Sequence, residues 1–151
     1  MTLSGLPPYD ETNIFAKILR GEIPSKKVYE DEWALAFHDI HPQAPVHVLI
    51  LPKGKYCSFA DFSANASAEE IAGLMRAIGK VAKDLGVEAG GYRVLTNMGG
   101  DSGQEVPHLH VHIFGGRPLA PGRGCIRRRD QEDSLTTRRE RSDAGERDAA
   151  L

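Results

Sequence analysis

The sequence is poor in cysteine and lacks any long apolar run. Only Cys57 and Cys125 are cysteines among 151 residues, and they lie far apart in no ligand-like spacing. Such usage argues against a disulfide framework and fits a reducing compartment. The longest apolar run, Val48–Leu51, is far too short to cross a bilayer, and the first residues show no signal-peptide pattern. We therefore expect a cytoplasmic protein with no membrane partner.

An excess of charge of either sign is also absent. Nineteen Lys and Arg residues face 21 Asp and Glu residues, which gives a formal net charge of −2. Phosphate backbones select basic surfaces, so no specific nucleic-acid partner is expected. The hydrophobic content of 40% and charged content of 26% are those of an ordinary globular domain.

Apolar periodicity and turn residues predict two helices and five strands. The pattern predicts a short helix over 13–20 and a longer one from a capping box, Ser67 with Glu70, to Leu85 before Gly86. The strands are predicted at 27–30, 33–38, 47–51, 92–97 and 108–114. This order indicates an α+β fold on a mainly antiparallel five-stranded sheet, with one short and one long helix per protomer.

The long helix carries one apolar stripe, which we expect to face the core. Its members are Ile71, Leu74, Met75, Ile78, Val81, Ala82 and Leu85. Three regions are predicted along the chain: an N-terminal extension over 1–12, a folded domain over 13–121, and a charged tail over 122–151. The tail has no aromatic residues and few apolar ones, so we expect it to be disordered.

Three histidines alternate with apolar residues in the segment His108–Phe114. Side chains alternate across a strand, so His108, His110 and His112 are predicted on one face and the apolar residues on the other. Imidazoles can serve as nucleophile, acid, base or metal ligand near neutral pH. Half of the six histidines lie within five residues, which predicts a functional site.

This row of histidines leaves three interpretations open. Histidines two apart on a strand can chelate one metal ion, with a further ligand from His47 or a carboxylate. Alternatively, the row is a polar sheet face without a role. The preceding loop, Met98–Glu105, favours a third interpretation, because its glycines let backbone amides approach a phosphate.

The segment His108–Phe114 resembles the signature of the histidine triad (HIT) family. Further segments are similar to its Hint branch, the nucleotide-binding phosphoramidases, in order and spacing over about residues 13–121. They are Ile14-Phe15 with Lys17-Ile18, Gly21–Pro24, Ala36–Ile40, Pro42–Pro45 with His47, Asn97 with Gly103-Gln104, and Gly115–Pro118. The resemblance implies a HIT-like fold and a homodimer.

The resemblance also implies a role for each site residue. His110 is implied as the nucleophile that forms a covalent nucleotidyl-histidine, without a metal or cofactor. His112 and His47 are implied to stabilise the phosphate and transfer protons, and His108 to support the array. The implied nucleotide contacts are Asp39 at the ribose, Ile40 and Phe37 at the base, and Asn97, Gly103, Gln104, Glu105 and Val106 at the phosphate.

The sequence departs from the family at three places. Several relatives have two zinc-binding cysteines where this chain has Asn13 and Ala16, so that zinc site is expected to be absent. Animal relatives have a serine, linked to protonation of the leaving group, where this chain has Glu105. Relatives also end soon after the segment that corresponds to Gly115–Pro118, whereas this chain continues.

The predicted function is hydrolysis of purine nucleoside 5′-phosphoramidates to a nucleoside monophosphate and an amine. Three alternatives remain open. The first is a dinucleoside polyphosphate hydrolase, and the second is a metal-dependent hydrolase that uses the same histidines. The third is a regulatory protein that binds nucleotide without relevant catalysis.

Overall fold

The computed structural model describes residues 3–121, and within this range the chain forms three helices and five strands. The helices are α1 (Ile14–Leu19), α2 (Phe59–Asn65) and α3 (Ala68–Asp84). The strands are β1 (Lys27–Glu30), β2 (Ala34–His38), β3 (Val46–Pro52), β4 (Tyr92–Leu95) and β5 (Val111–Gly115). The predicted tail over 122–151 lies outside the described residues.

The strands form one sheet in the order β1-β2-β3-β5-β4, and every neighbouring pair is antiparallel. This confirms the predicted α+β architecture. The predicted inventory omitted α2, a seven-residue helix capped by Ser58. A helix this short shows fewer than two repeats of an apolar face, so periodicity gives little signal for it.

Each face of the sheet packs against its own helix. Alternation along β3 directs Val48 and Ile50 to the core under α3, and Leu49 and Leu51 to the core under α1. His47 occupies an odd position on β3 and therefore shares the α1 side of the sheet. The histidine site is thus built on the face that the shorter helix covers.

The strand with the histidines begins three residues later than predicted. Ile50 pairs with Val111, and continuing this antiparallel register would place Leu109 opposite Pro52. Pro52 has no amide hydrogen, so the β3 ladder cannot continue in the usual way. Instead, the amide of Leu109 donates to the carbonyl of Tyr56 at 2.8 Å. The prediction of a strand over 108–114 is therefore wrong for its first three residues.

Helix α3 starts with the predicted capping box, in which Ser67 and Glu70 bond each other's backbone. Two members of the predicted core stripe are wrong, because Ile71 is 37% exposed and Met75 is 51% exposed. The buried face is instead centred further round the helix and includes Gly73, where an added Cβ would clash with the side chain of Trp33. Within residues 3–121, no helix combines the length and apolar character needed to cross a membrane.

Candidate active site

His110, His112 and Phe114 share the α1 side of the sheet and contact one another. The rings of His110 and His112 have centroids 5.3 Å apart, and His112 stacks on Phe114 with an interplanar angle of 2°. Phe15 of α1 packs its ring edge-on to His110, with centroids 5.0 Å apart. Sequence reasoning missed Phe15 as a site residue, although its apolar spacing in the first helix already placed it in the core.

His108 is completely buried and both of its ring nitrogens have partners. Its Nε2 lies 2.9 Å from the carbonyl oxygen of Pro52, and its Nδ1 lies 2.5 Å from the hydroxyl of Tyr9. A carbonyl oxygen only accepts hydrogen bonds, so Nε2 carries the hydrogen and Nδ1 accepts one from Tyr9. Within the described residues, His108 therefore has no free ring nitrogen for a ligand.

His110 has the opposite tautomer. Its Nδ1 lies 2.7 Å from the carbonyl oxygen of His108, so Nδ1 carries the hydrogen in this short bond. The neutral ring then has its lone pair on Nε2. The carbonyl of His110 itself accepts a hydrogen bond from Thr96 Oγ1 at 2.8 Å, which fixes the backbone at this residue. Thr96 was not among the predicted site residues.

His47 and His112 bond directly to each other across β3 and β5. The amide of Gln43 donates to His47 Nδ1 at 3.1 Å, so the neutral His47 ring carries its hydrogen on Nε2. That Nε2 lies 3.0 Å from His112 Nδ1, which therefore accepts the hydrogen bond. The hydrogen of a neutral His112 ring is then on Nε2. These two histidines form a hydrogen-bonded pair, as distinct from the two that are bonded to backbone carbonyls.

Asp39 lies beside this pair. Its Oδ2 is 3.4 Å from His47 Nε2, and its Oδ1 accepts the amide of His41 at 2.7 Å in an Asx turn. The carboxylate thus orders the loop after β2 and brings negative charge to the histidines.

Burial lowers the pKa of all four histidines of the site, because the charged imidazolium loses its hydration. The pKa falls to about 4 for both His108 and His112. For His110 the fall is opposed by the carbonyl of His108 and by the negative charges of Asp39 and Glu105. The array is consequently neutral at pH 7, which leaves the lone pair of His110 available.

The glycine loop is closed by its own backbone amides. The amide of Gly103 donates to the carbonyl of Gly100 at 3.0 Å, and the amide of Gln104 donates to the carbonyl of Gly99 at 3.1 Å. The side chain of Gln104 is buried and bonds the amide of Gly99 and the carbonyls of Cys57 and Val106. Gly103 and Gln104 therefore shape the loop, and these amides are already engaged with protein acceptors.

The other predicted nucleotide contacts differ in exposure. Glu105 is exposed and close enough to affect the pKa of His110, while Val106 is half-buried against the α1 core. Ile40 is 84% exposed beside Asp39, whereas Phe37 is buried and packs on Phe15 with ring centroids 5.8 Å apart. Asn97 is half-buried in the loop after β4.

Asp39, His47 and His112 bring three potential metal-ligand atoms within 4.8 Å of one another. The hydrogen bonds already described oppose ligation by His47. Its Nδ1 accepts from the Gln43 amide, so its Nε2 holds a hydrogen that a metal would have to displace. Asn13, at one of the positions where relatives have cysteine, caps α1 by accepting the amide of Ala16.

The sequence profile of the HIT domain matches residues 20–119. A purine nucleoside phosphoramidase from Escherichia coli K12 is 46% identical over 112 residues, which cover 74% of this chain and 92% of that protein. An uncharacterized HIT-like protein from Azospirillum brasilense is 62% identical over 113 residues, with coverage of 75% and 93%.

A solved structure of a HIT family hydrolase from Clostridium thermocellum superposes with a TM-score of 0.69 at 43% identity, covering 75% of this chain and 97% of that one. A histidine triad protein from Clostridium difficile gives 0.68 at 45% identity, with coverage of 73% and 95%. This chain belongs to the HIT family. The predicted family membership and fold are thereby confirmed.

Proposed function

We propose that the protein hydrolyses purine nucleoside 5′-phosphoramidates through a covalent nucleotidyl-histidine on His110. The observation that carries this proposal is the bond from His110 Nδ1 to the carbonyl of His108, since it leaves the lone pair on Nε2. A buried neutral imidazole with a fixed tautomer is a competent nucleophile at pH 7. The similarity to a phosphoramidase of Escherichia coli supports the substrate class.

The first step forms a bond between His110 Nε2 and the α-phosphorus while the phosphorus–nitrogen bond breaks. The leaving nitrogen departs as an amine and therefore needs a proton. We assign its delivery to the pair of His47 and His112, which takes up one extra proton when the substrate binds, because a neutral imidazole that gave up its hydrogen would be left as an imidazolate. The resulting imidazolium donates from His112 Nε2, the nitrogen not bonded to His47, and the pair returns to its neutral state. The negative charge of the bound phosphate raises the pKa of these imidazoles and helps them hold the proton.

In the second step water attacks the phosphorus, and the bond from phosphorus to His110 Nε2 breaks. The proton that water loses returns to the pair of His47 and His112, and the pair becomes neutral again when the phosphate product leaves. The products are the nucleoside monophosphate and the amine, and one water molecule is consumed overall. These steps need no cofactor.

For the nucleotide itself, we propose contacts at the rim of the site. Asp39 would bind the ribose hydroxyls with Ile40 beside the base and Phe37 beneath it. The phosphate would be bound by Asn97 and by the amides of Glu105 and Val106, which follow the amides that close the loop. Gly103 and Gln104 support this geometry through the loop bonds.

The test is the turnover of adenosine 5′-phosphoramidate by wild type and His110→Ala, with and without a chelator. We expect chelator-insensitive activity that is lost in His110→Ala and kept in His38→Ala, a matched change at an exposed histidine. Abolition by the chelator would instead indicate the metal-dependent alternative. Faster turnover of dinucleoside polyphosphates than of the phosphoramidate would indicate a dinucleoside polyphosphate hydrolase. Tight nucleotide binding without turnover would indicate a regulatory protein.

We also propose a homodimer. Helix α3 lies over β2 and β3, and the edge strand β4 exposes Tyr92 by 38% and Val94 by 45%. Exposed Met75 and Ile71 on α3 add further apolar surface, and an edge strand with such side chains is a common association site. Sedimentation of wild type and of Val94→Lys tests this, with a monomer expected for the variant. A monomeric wild type would contradict the proposal.

The cytoplasmic location remains a prediction from the sequence.

A further inference from the structure

The first two histidines of the row lie outside the sheet that holds the third. Strand β5 begins at Val111, so residues 108–110 have no ladder to fix them. Other groups hold this segment in place: the carbonyl of Tyr56 bonds the amide of Leu109, and Thr96 bonds the carbonyl of His110. For His108, the anchors are the carbonyl of Pro52 and the phenol of Tyr9.

Tyr9 comes from a part of the chain that precedes both the first helix and the family match, which starts at residue 20. Its hydroxyl lies 2.5 Å from His108 Nδ1, and the two rings meet edge-on with centroids 5.6 Å apart. Burial raises the pKa of this phenol, so it retains its hydrogen at neutral pH and can donate it.

The same N-terminal segment also packs against the glycine loop. An added Cβ at Gly5 would lie 2.8 Å from Gln104 Oε1 and 3.1 Å from the amide nitrogen of Gly99. Gly5 has φ of +70°, which favours glycine at this close approach. The segment therefore contacts the two parts of the site that need support, the loop and the first histidine.

We infer that Tyr9 is a positioning residue for His110, acting through His108; this inference rests on the function proposed above. Donation from Tyr9 and acceptance by Pro52 hold the His108 ring at both nitrogens and fix its tautomer. The backbone of His108 is then held where its carbonyl accepts the hydrogen of His110 Nδ1. The N-terminal segment thus belongs to the catalytic unit, although it lies outside the matched domain.

The alternative is that Tyr9 only fills space against His108. A purely packing role depends on the ring and not on the hydroxyl, so Tyr9→Phe separates the two interpretations. Tyr29→Phe is the matched control, because Tyr29 also donates one hydrogen bond, to Asp31 at 2.7 Å, and is remote in sequence from the array.

The experiment measures kcat and KM for adenosine 5′-phosphoramidate and the ¹⁵N resonances of the histidine rings in the wild type and both variants. For Tyr9→Phe we expect kcat to fall about fivefold, the effect of one neutral hydrogen bond, with KM unchanged within about twofold. We also expect a changed His108 Nδ1 resonance. Tyr29→Phe is expected to match wild type in all these measurements.

Wild-type kcat and an unchanged His108 resonance in Tyr9→Phe would overturn the inference. So would an equal loss of kcat in Tyr29→Phe, since that would reflect general loosening of the fold. Thermal unfolding of both variants confirms that each is folded under assay conditions. If wild type fails to turn over the substrate, the proposed function fails, and the His108 resonance alone then decides whether Tyr9 fixes the tautomer.

Discussion

The four imidazoles of the site form two pairs that are held in different ways. His108 and His110 each donate to a backbone carbonyl, at 2.9 Å and 2.7 Å. His47 and His112 instead bond each other at 3.0 Å, with Asp39 3.4 Å from His47. A carbonyl cannot exchange a proton, whereas a second imidazole can. The first pair is therefore suited to present a fixed lone pair, and the second to hold a transferable proton.

The largest expected effect comes from removing the nucleophile from the carbonyl-bonded pair. His110→Gly should lower kcat at least about a thousandfold, because loss of a covalent nucleophile removes the whole pathway. Added imidazole should restore part of the activity by occupying the vacated space. The rate of adenosine 5′-phosphoramidate turnover with and without imidazole is the measurement. Near-wild-type activity of the variant without added imidazole would show that another residue is the nucleophile.

Removal of His112 should give a smaller loss that depends on the leaving group. For an amine, His112→Ala should lower kcat about a hundredfold, which is typical for loss of general acid–base catalysis. A nitrophenolate leaving group departs without a proton, so the same variant should lose much less rate in the first step with that substrate. The loss for nitrophenolate is measured as its presteady-state release from the nitrophenyl ester of adenosine 5′-monophosphate, and it is compared with the loss for the amine. Equal losses for both leaving groups would show that His112 does not supply the leaving-group proton.

Acidification should destabilise the fold, because the pKa of each buried histidine is lower in the folded than in the unfolded state. Their stabilising contribution is complete above the unfolded value of about 6.5 and is lost as the pH falls towards the folded value. For His108, with a pKa of about 4, the loss from pH 7 to pH 5 is on the order of 2 kcal/mol.

Urea unfolding between pH 7 and pH 5 measures this loss. The exposed His38 provides the control, and His38→Ala should keep the full pH dependence. A free energy of unfolding that stays constant over this interval would mean that the array is not held neutral by burial.

The anchor from Thr96, the residue after β4, should have a modest effect. Thr96→Val removes the hydroxyl that donates to the carbonyl of His110, so we expect a loss of about 1 kcal/mol in unfolding free energy and a severalfold lower kcat. Thr96→Ser keeps the hydroxyl and serves as the matched control. Equal behaviour of Thr96→Val and wild type would show that the neighbouring bonds, from the Leu109 amide to Tyr56 and from His110 Nδ1 to His108, hold His110 without this hydroxyl.

The smallest expected effect concerns Glu105. Its negative charge raises the pKa of His110, so Glu105→Gln should lower that pKa further. The acid limb of kcat/KM, which reports protonation of the nucleophile in the free enzyme, should then move to lower pH. A shift to higher pH would contradict the stated sign, and an unmoved limb would remove Glu105 from the electrostatics of the site.

Much of the fold could be predicted from sequence because turn residues bound its short apolar strands and α3 has a full capping box. The failures share one cause, which is that a local pattern does not show what packs on it. Ile71 and Met75 match the apolar period of α3, but Trp33 packs at Gly73 instead. Likewise, apolar and histidine residues alternate from His108 onwards, yet Pro52 interrupts the ladder at the position opposite Leu109.

For the site, the alternation of the histidines and the resemblance indicated which residues to consider. They did not indicate the tautomers, since those depend on acceptors distant in the chain, such as the carbonyl of Pro52. Thr96 and Tyr9 were also missed, because single residues after a strand and in an extension carry no motif, and Phe15 lies in a family-like segment that implied no role for it. Only the fold brings them to the histidines.

Two adjacent residues of the glycine loop face opposite constraints on natural variation. Gln104 is 5% exposed, and its amide group bonds three backbone positions, so a substitution there disturbs the loop itself. Glu105 is exposed, and its side chain can be replaced without breaking those bonds. A substitution at residue 105 alone can therefore change the charge beside His110 while the loop bonds of Gln104 stay intact.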